Sequence, residues 1–455
     1  MTTVMTHIAK LQSLGLFDAR VPRYTSYPAA PVFTGAVGAE FQAEAIRALD
    51  PAVPISVYIH VPFCERLCWF CACRTQGTQT LAPVEAYVGT LLQELKLVAA
   101  HLPEGVRMGR LHWGGGTPTI LTPELIHRLA QAIKAVIPFA EHYEFSVEID
   151  PMMVDEPKIR ALSEEGMNRA SIGIQDFTDI VQNAIGREQP FEATKACVDA
   201  LRHYGVHSLN TDLVYGLPHQ NRESLAATID KVLSLQPDRV AIFGYAHVPW
   251  MAKRQKLIDE AVLPNDMERH ELANLAARLF TEGGFERIGI DHFARPEDSM
   301  AVAARNGKLR RNFQGYVDDE CPTLLGIGAS SISKFEQGYL QNTAATAAYI
   351  KQIEAGELPG YRGHRMTEAD RLHGRAIEMI MCDFHLDMPA LKARFGDAAD
   401  DLLQRVAEAE RQFAPFVSTE GGSLTIAPEG RALCRMIAKT FDAYETPGAR
   451  YSQAS

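Results

Sequence analysis

The chain has 455 residues, which at roughly 150 residues per domain allows two or three domains. Hydrophobic residues make up 46% and charged residues 22%, a balance that supports a sizeable core and excludes a disordered chain. The formal net charge of −11 argues against a broad nucleic-acid-binding surface, and an anionic substrate would depend on local basic residues. The N-terminus carries His7, Lys10 and Asp18 early and does not read as a secretory signal. No segment approaches the roughly 20 apolar residues that cross a bilayer, so a cytoplasmic protein with no membrane span is expected.

Residues 1–50 show weak periodicity and a proline-interrupted stretch, VPRYTSYPAAP, and are expected to form an arm. ISVYIH, from Ile55, has the composition and period of a first strand. A long helix is predicted near Val84–Ala100, then a second strand in GRLHWGG. Thr122 and Pro123 form a cap and first position for a second helix. YEFSVEID, RASIGIQ, HSLNTDLVYG and RVAIFGY read as the third to sixth strands, with helical segments such as FEATKACVDALRHYG and ESLAATIDKVLSLQ between them. Such alternation predicts an α/β fold with a parallel sheet and helices outside it. A curved, partly closed barrel is the expected architecture, and a flat doubly wound sheet is the alternative that periodicity leaves open. Beyond about Gly363 the chain turns mostly helical, with one short strand pair around Phe416–Ile426. The expected organisation is an arm at 1–50, a barrel domain with extension at 51–363, and a small helical domain at 364–455.

Four of the eight cysteines fall between Cys64 and Cys73, whereas Cys197, Cys321, Cys382 and Cys434 are scattered. This suits a reducing compartment and a metal site better than a disulfide scaffold. Cys64, Cys68 and Cys71 can wrap a short loop around one cube-shaped iron–sulfur cluster, leaving one iron open to a small molecule. The competing reading is a zinc site with Cys73 as fourth ligand. Polar residues also recur on one side of the strands: Tyr58 and His60; Ser146, Glu148 and Asp150; Ser171, Gly173 and Gln175; Asn210 and Asp212. Parallel barrels place their chemistry at the C-terminal ends of strands. The run Gly114-Gly115-Gly116-Thr117-Pro118-Thr119 allows close backbone approach to a ligand and lacks the GK[ST] ending of a phosphate loop.

The CxxxCxxC loop after the first strand, with Phe70 before its third cysteine, resembles the radical S-adenosylmethionine superfamily. PRYTSYP, CWFCAC, HWGGGTPT, SVEIDP, SIGIQDF, IGREQP, TDLVYGLP, DHFARP, RNFQGY and MCDFHLD resemble the oxygen-independent coproporphyrinogen III dehydrogenases, from about residue 20 to about residue 440. Trp69 stands where tyrosine is common. The resemblance implies a partial (β/α)6 radical-SAM barrel with an N-terminal arm and a small C-terminal domain. It implies a 4Fe–4S cluster on Cys64, Cys68 and Cys71, and two molecules of S-adenosylmethionine. Tyr58, Gly115, Glu148 and Ile332 would contact the first molecule. Phe70, Gly116, Thr117, Gln175, Arg187, Asp212 and Ala246 would hold the second.

The implied reaction is anaerobic. A 5'-deoxyadenosyl radical takes a hydrogen from a propionate β-carbon, and loss of CO2 and an electron leaves a vinyl group. Two propionates of coproporphyrinogen III react in this way to give protoporphyrinogen IX. Cys73, Arg23 and Tyr24 are the expected catalytic residues, with the arm covering a large planar substrate. Lys308, Arg310 and Arg311 are further candidates to meet its propionates. Expected partners are the substrate and a cytosolic electron donor such as a flavodoxin or ferredoxin, with the enzyme a monomer. A haem-delivery protein that keeps the cluster, another tetrapyrrole-modifying radical enzyme, and a plain electron carrier are the competing functions.

Overall fold

The structure is a computed structural model that describes residues 2–446 and 450–454. Its chain forms two compact units whose boundaries do not follow chain order. The larger comprises Phe33–Leu263 and Cys321–Arg365, the smaller Met1–Val32, Pro264–Glu320 and Met366–Ser455.

In the larger unit the six expected strands form at Ile55–Val61, Met108–Gly115, Phe139–Ile149, Arg169–Gln175, Ser208–Tyr215 and Arg239–Gly244. Each pairs in parallel with the next along the chain. A doubly wound sheet reverses strand order at a switch point. Here the order never reverses among these six, which is the winding of a barrel. Leu324–Ile327 joins the other side of the first strand in parallel, and Ile332–Phe335, Gly338–Asn342 and Gly360–Arg365 extend the sheet antiparallel. The apolar face predicted from the sequence is buried, at Val57, Ile59, Val147, Ile172 and Ile174, as in any strand with one face against a helical layer, and Ser56, His60, Ser146 and Asp150 on the opposite face are buried as well. Thr122 accepts a hydrogen bond from the Leu125 amide at the head of Pro123–Val136, so that cap forms as read. The helix predicted near Val84–Ala100 spans Ala82–Ala99.

The smaller unit corrects two expectations. Part of the arm is helical at Thr2–Ser13, and its residues are core: Leu11, Leu16, Phe17, Val21, Tyr24 and Tyr27 pack in one cluster with Leu372, Ile380, Phe413 and Ile437. Arg435 is buried there and donates to the Val21 and Pro22 carbonyls. Residues 33–50, read as the rest of the arm, lie in the larger unit and include the helix Ala39–Arg47. Weak periodicity hid both helices because short helices owe most of their stability to tertiary packing. The short strand pair is a three-stranded sheet, since His385–Leu386 joins Ser423–Ile426 beside Val417–Glu420.

Candidate active site

The cysteine loop leaves the first strand and is fastened at several points. Phe63–Cys64 pairs with Gln76–Gly77, and the Thr78 amide donates to the Cys64 carbonyl at 3.0 Å. The Trp69 amide donates to the Ile185 carbonyl at 2.9 Å, while Trp69 and Phe70 pack on Val181, Ile185, Val214 and Tyr245. Gln255 donates to the Phe70 carbonyl at 2.7 Å.

Arg187 reaches this loop from the segment after the fourth strand. Its Nη1 donates to Asp150 Oδ2 at 3.2 Å and to Cys68 Sγ at 3.4 Å, and its Nη2 donates to the Gly173 carbonyl at 2.7 Å. Burial lowers its pKa, but the Asp150 carboxylate together with Cys68 and Cys71 outweighs that and raises it. Its Nε is sealed from solvent with no hydrogen-bond partner. Gly173 leaves room for this arrangement, since a Cβ there would stand 3.0 Å from Gln175 Nε2 and 3.3 Å from Arg187 Nη2 and would press on both.

The thiols differ sharply. A hydrogen bond from the Cys73 thiol, against burial and with the charges of Arg254 and Arg187, draws Cys71 down to about 6. Cys73 itself moves the opposite way, held up first by its bond to Cys71. Burial raises Cys64, although Thr117 Oγ1 donates to its sulfur at 3.5 Å. Three thiols on one short loop, with an arginine on one sulfur and a buried orphan donor beside it, match the donor set of an anionic iron–sulfur cluster. Among the described residues, no three His, Cys, Asp or Glu side chains crowd together as ligands of a single ion would.

The glycine run that closes the second strand is filled by the protein itself. Gly115 has φ +109°, and a Cβ on it would meet the His60 ring at 2.4 Å. A Cβ on Gly116 would stand 2.5 Å from the Phe63 carbonyl oxygen. The Gly116 and Thr117 amides donate to the Val61 and Phe63 carbonyls, tying this turn to the cysteine loop. Glu148, half-buried at the end of the third strand, accepts from the Gly115 amide at 3.0 Å and from His112 at 3.4 Å. Burial raises its pKa, but the His112 bond and charge, with the Gly115 amide, outweigh that and hold it below the usual carboxylate range. Tyr58 bonds His60 Nδ1 at 3.0 Å and stacks on His112 with centroids 5.7 Å apart.

On the next strands, Asn210 donates to Ser171 and to Asp212, both at 2.8 Å, and Ser171 donates to the other Asp212 oxygen. Gln175 sits in the left-handed region at φ +71°, where the register between the fourth and fifth strands slips. The Ala246 carbonyl accepts from Gln255 at 3.1 Å, and Ile332 begins the strand after Gly328.

Cys64, Cys68, Cys71, Cys73 and the expected cofactor residues all belong to the larger unit, whereas Arg23 and Tyr24 belong to the smaller. Tyr24 is 5% exposed and donates to Asp442 at 3.1 Å, so its ring is part of a core rather than a free face. Arg23 is exposed, and its carbonyl accepts from Arg311 Nε. Arg311 stacks on Tyr316 at 4.4 Å, Arg310 donates to the Gly307 and Leu309 carbonyls, and Lys308 pairs with Glu320. Sequence reasoning did not single out His112, Asp176, Gln182, Gln220, Arg254 or Gln255. SIGIQDF contains Asp176 and HWGGGTPT contains His112. Arg254, and in part Gln220 and Gln255, meet partners distant in sequence, whereas Gln182 bonds Asp176 and Gln189 close by, in a stretch too short to carry a period.

A family model for the radical SAM superfamily matches residues 58–232, the stretch holding the cysteine loop and the glycine turn. The fold and this loop therefore define a radical SAM protein. The coproporphyrinogen III oxidase of Escherichia coli, a radical SAM enzyme, superimposes with a TM-score of 0.89 at 35% identity, over 94% of this chain and 100% of that one. The chain is 86% identical to the anaerobic coproporphyrinogen III oxidase 1 of Cereibacter sphaeroides, over 99% of its own length and 100% of the relative's. It is 50% identical to the oxygen-independent coproporphyrinogen III oxidase of Paracoccus denitrificans over 99% of its length. The chain belongs to the family of oxygen-independent coproporphyrinogen III oxidases. None of its described helices is long and apolar enough to cross a membrane.

Proposed function

We propose that this chain oxidises coproporphyrinogen III without oxygen, converting two propionate side chains to vinyl groups and yielding protoporphyrinogen IX. The observation that carries this is the three-cysteine loop after the first parallel strand, in a chain 86% identical throughout to an anaerobic oxidase of that substrate. Cys64, Cys68 and Cys71 hold the 4Fe–4S cluster. When bound, cluster and S-adenosylmethionine together supply the radical that removes hydrogen from a propionate β-carbon.

The residues of the chain bind and orient. Tyr58, Gly115, Glu148 and Ile332 contact one S-adenosylmethionine. The Glu148 carboxylate, ionised at neutral pH, suits an ammonium or a ribose hydroxyl. Phe70, Gly116, Thr117, Gln175, Arg187, Asp212 and Ala246 contact a second molecule. Arg187 suits a carboxylate because a guanidinium offers paired donors and its Nε is unused. Cys73 lies beside Cys71 and acts on substrate turnover rather than as a cluster ligand. Arg23 meets a propionate. The exposed side chain of Arg23 supports that role; the buried ring of Tyr24 supports a structural one.

The deciding experiment is anaerobic turnover of coproporphyrinogen III after cluster reconstitution. Protoporphyrinogen IX should form with release of two CO2, and two S-adenosylmethionine molecules should bind per chain. Stable haem binding with no turnover would replace this reading by haem delivery.

A further inference from the structure

We propose that the short helix Lys253–Leu257, with the turn before it, is the docking surface for an acidic one-electron carrier protein. The inference rests on the reading of Cys64, Cys68 and Cys71 as cluster ligands.

The helix is of the three-residue-per-turn type, so one residue in three faces inward. That residue is Gln255, only 1% exposed. Its amide donates to the Phe70 and Ala246 carbonyls, and its oxygen accepts from the Val248 amide. Lys253 and Lys256, three apart, share an outer face, and both are exposed. Arg254 donates to Thr75 Oγ1 at 2.9 Å, a second tie to the cysteine loop. Leu257 is 60% exposed, Met251 70% and Trp250 42%. Single exposed apolar residues need no explanation. Three of them within one short segment, together with the exposed Lys253 and Lys256 and no acid between Trp250 and Leu257, form a mixed apolar and basic patch, with Arg254 behind it on the cysteine loop.

Two features of this patch identify the partner. The chain as a whole is strongly acidic, so an acidic protein is repelled except where cations gather. The nearest acids along the chain are Asp259 and Glu260, and Glu260 is engaged by His247 at 2.9 Å. The patch is also bonded directly to the cysteine loop, because the Phe70 carbonyl that Gln255 grips belongs to the peptide joining Phe70 to Cys71. Electron transfer weakens steeply with distance, so a donor must settle close to such a loop. On docking, one electron leaves the reduced carrier, which is oxidised by one electron, and enters the oxidised cluster, which is reduced by one. No bond forms or breaks and no proton moves.

The test uses the full chain and flavodoxin, a small acidic flavoprotein, as the probe. Calorimetry with oxidised flavodoxin should show binding that weakens with salt, and Lys253→Glu/Lys256→Glu should weaken it about tenfold or more, since reversing rim charges removes complementarity. Turnover driven by dithionite should be unchanged in the same variant, while turnover driven by reduced flavodoxin falls. Met251→Ser/Leu257→Ser should weaken binding without altering its salt dependence. Equal flavodoxin binding by wild type and the lysine variant would overturn the proposal. So would loss of binding to phosphatidylglycerol vesicles with flavodoxin binding intact, since the patch would then be a lipid surface. The binding measurement needs no iron, so a wild-type protein that takes up no cluster would refute the cluster reading and leave the docking result readable.

Discussion

Gln220 Nε2 donates to Asp176 Oδ2 at 2.7 Å, and this bond joins the ends of the fourth and fifth parallel strands. Gln220 also donates to the Val214 carbonyl and accepts from the Gly216 amide, fixing the turn after Asp212. The other Asp176 oxygen accepts from the Thr178 amide and Thr228 Oγ1. The Asp176 carbonyl accepts from Gln182, which also grips both backbone groups of Gln189, two residues from Arg187. One buried network therefore stands behind Gln175, Arg187 and Asp212.

Asp176→Ala should cost about 3 kcal/mol, because buried donors lose their acceptor. Asp176→Asn is the finer probe. It turns an amide toward the Gln220 amide, and should weaken S-adenosylmethionine binding about tenfold by misplacing the residues ahead of it. Adding Gln220→Glu faces the new amide with an acceptor but sets a carboxylate oxygen against the Val214 carbonyl, so it should recover only part of the affinity. Calorimetry on the reconstituted protein reads both, and normal binding by Asp176→Asn would show that the network positions nothing.

The cysteines divide by role. Serine at Cys64, Cys68 or Cys71 should remove iron and turnover together. Cys73→Ser should keep the iron and lose turnover. Iron analysis and the visible spectrum after anaerobic reconstitution separate the two, and loss of cluster in Cys73→Ser would make that residue a ligand.

Glu94 should give the fold a pH dependence of its own. It is fully buried, accepting from Asn342, Tyr349 and the Gly328 amide, and burial raises its pKa to about 7 despite these bonds. The folded state then holds a proton that the unfolded state releases near the ordinary carboxylate value. Stability is greatest below that value, falls as pH rises toward about 7, and levels above it. The span is about 3 kcal/mol. Denaturant unfolding at a series of pH values checks this, and Glu94→Gln should flatten the slope between those limits.

The N-terminal segment should prove structural. Tyr27 is 6% exposed, packs against Tyr444 and accepts from the Ala443 amide. Tyr27→Ala should cost about 3–5 kcal/mol. Deleting residues 1–30 should leave the smaller unit without cooperative unfolding, seen as rapid limited proteolysis of residues 366–455. A truncated protein as protease-resistant as the full chain would restore the reading of this segment as a detachable cover.

The sequence by itself determined the order of six strands, the cap at Thr122, the three-thiol loop and the family. Each of these is written in local period or in spacing along a few residues, where backbone geometry leaves little choice. The tertiary structure alone decided that Tyr24 and Tyr27 are core, because burial depends on Leu372 and Phe413, hundreds of residues away. It alone decided that the glycine turn is filled by His60 and Phe63, and that Gln255 grips the peptide beside Cys71. Such contacts arise where loops from different strands meet at one end of a sheet. No periodicity records them, since what selects each residue is a partner brought near only when the strands pair.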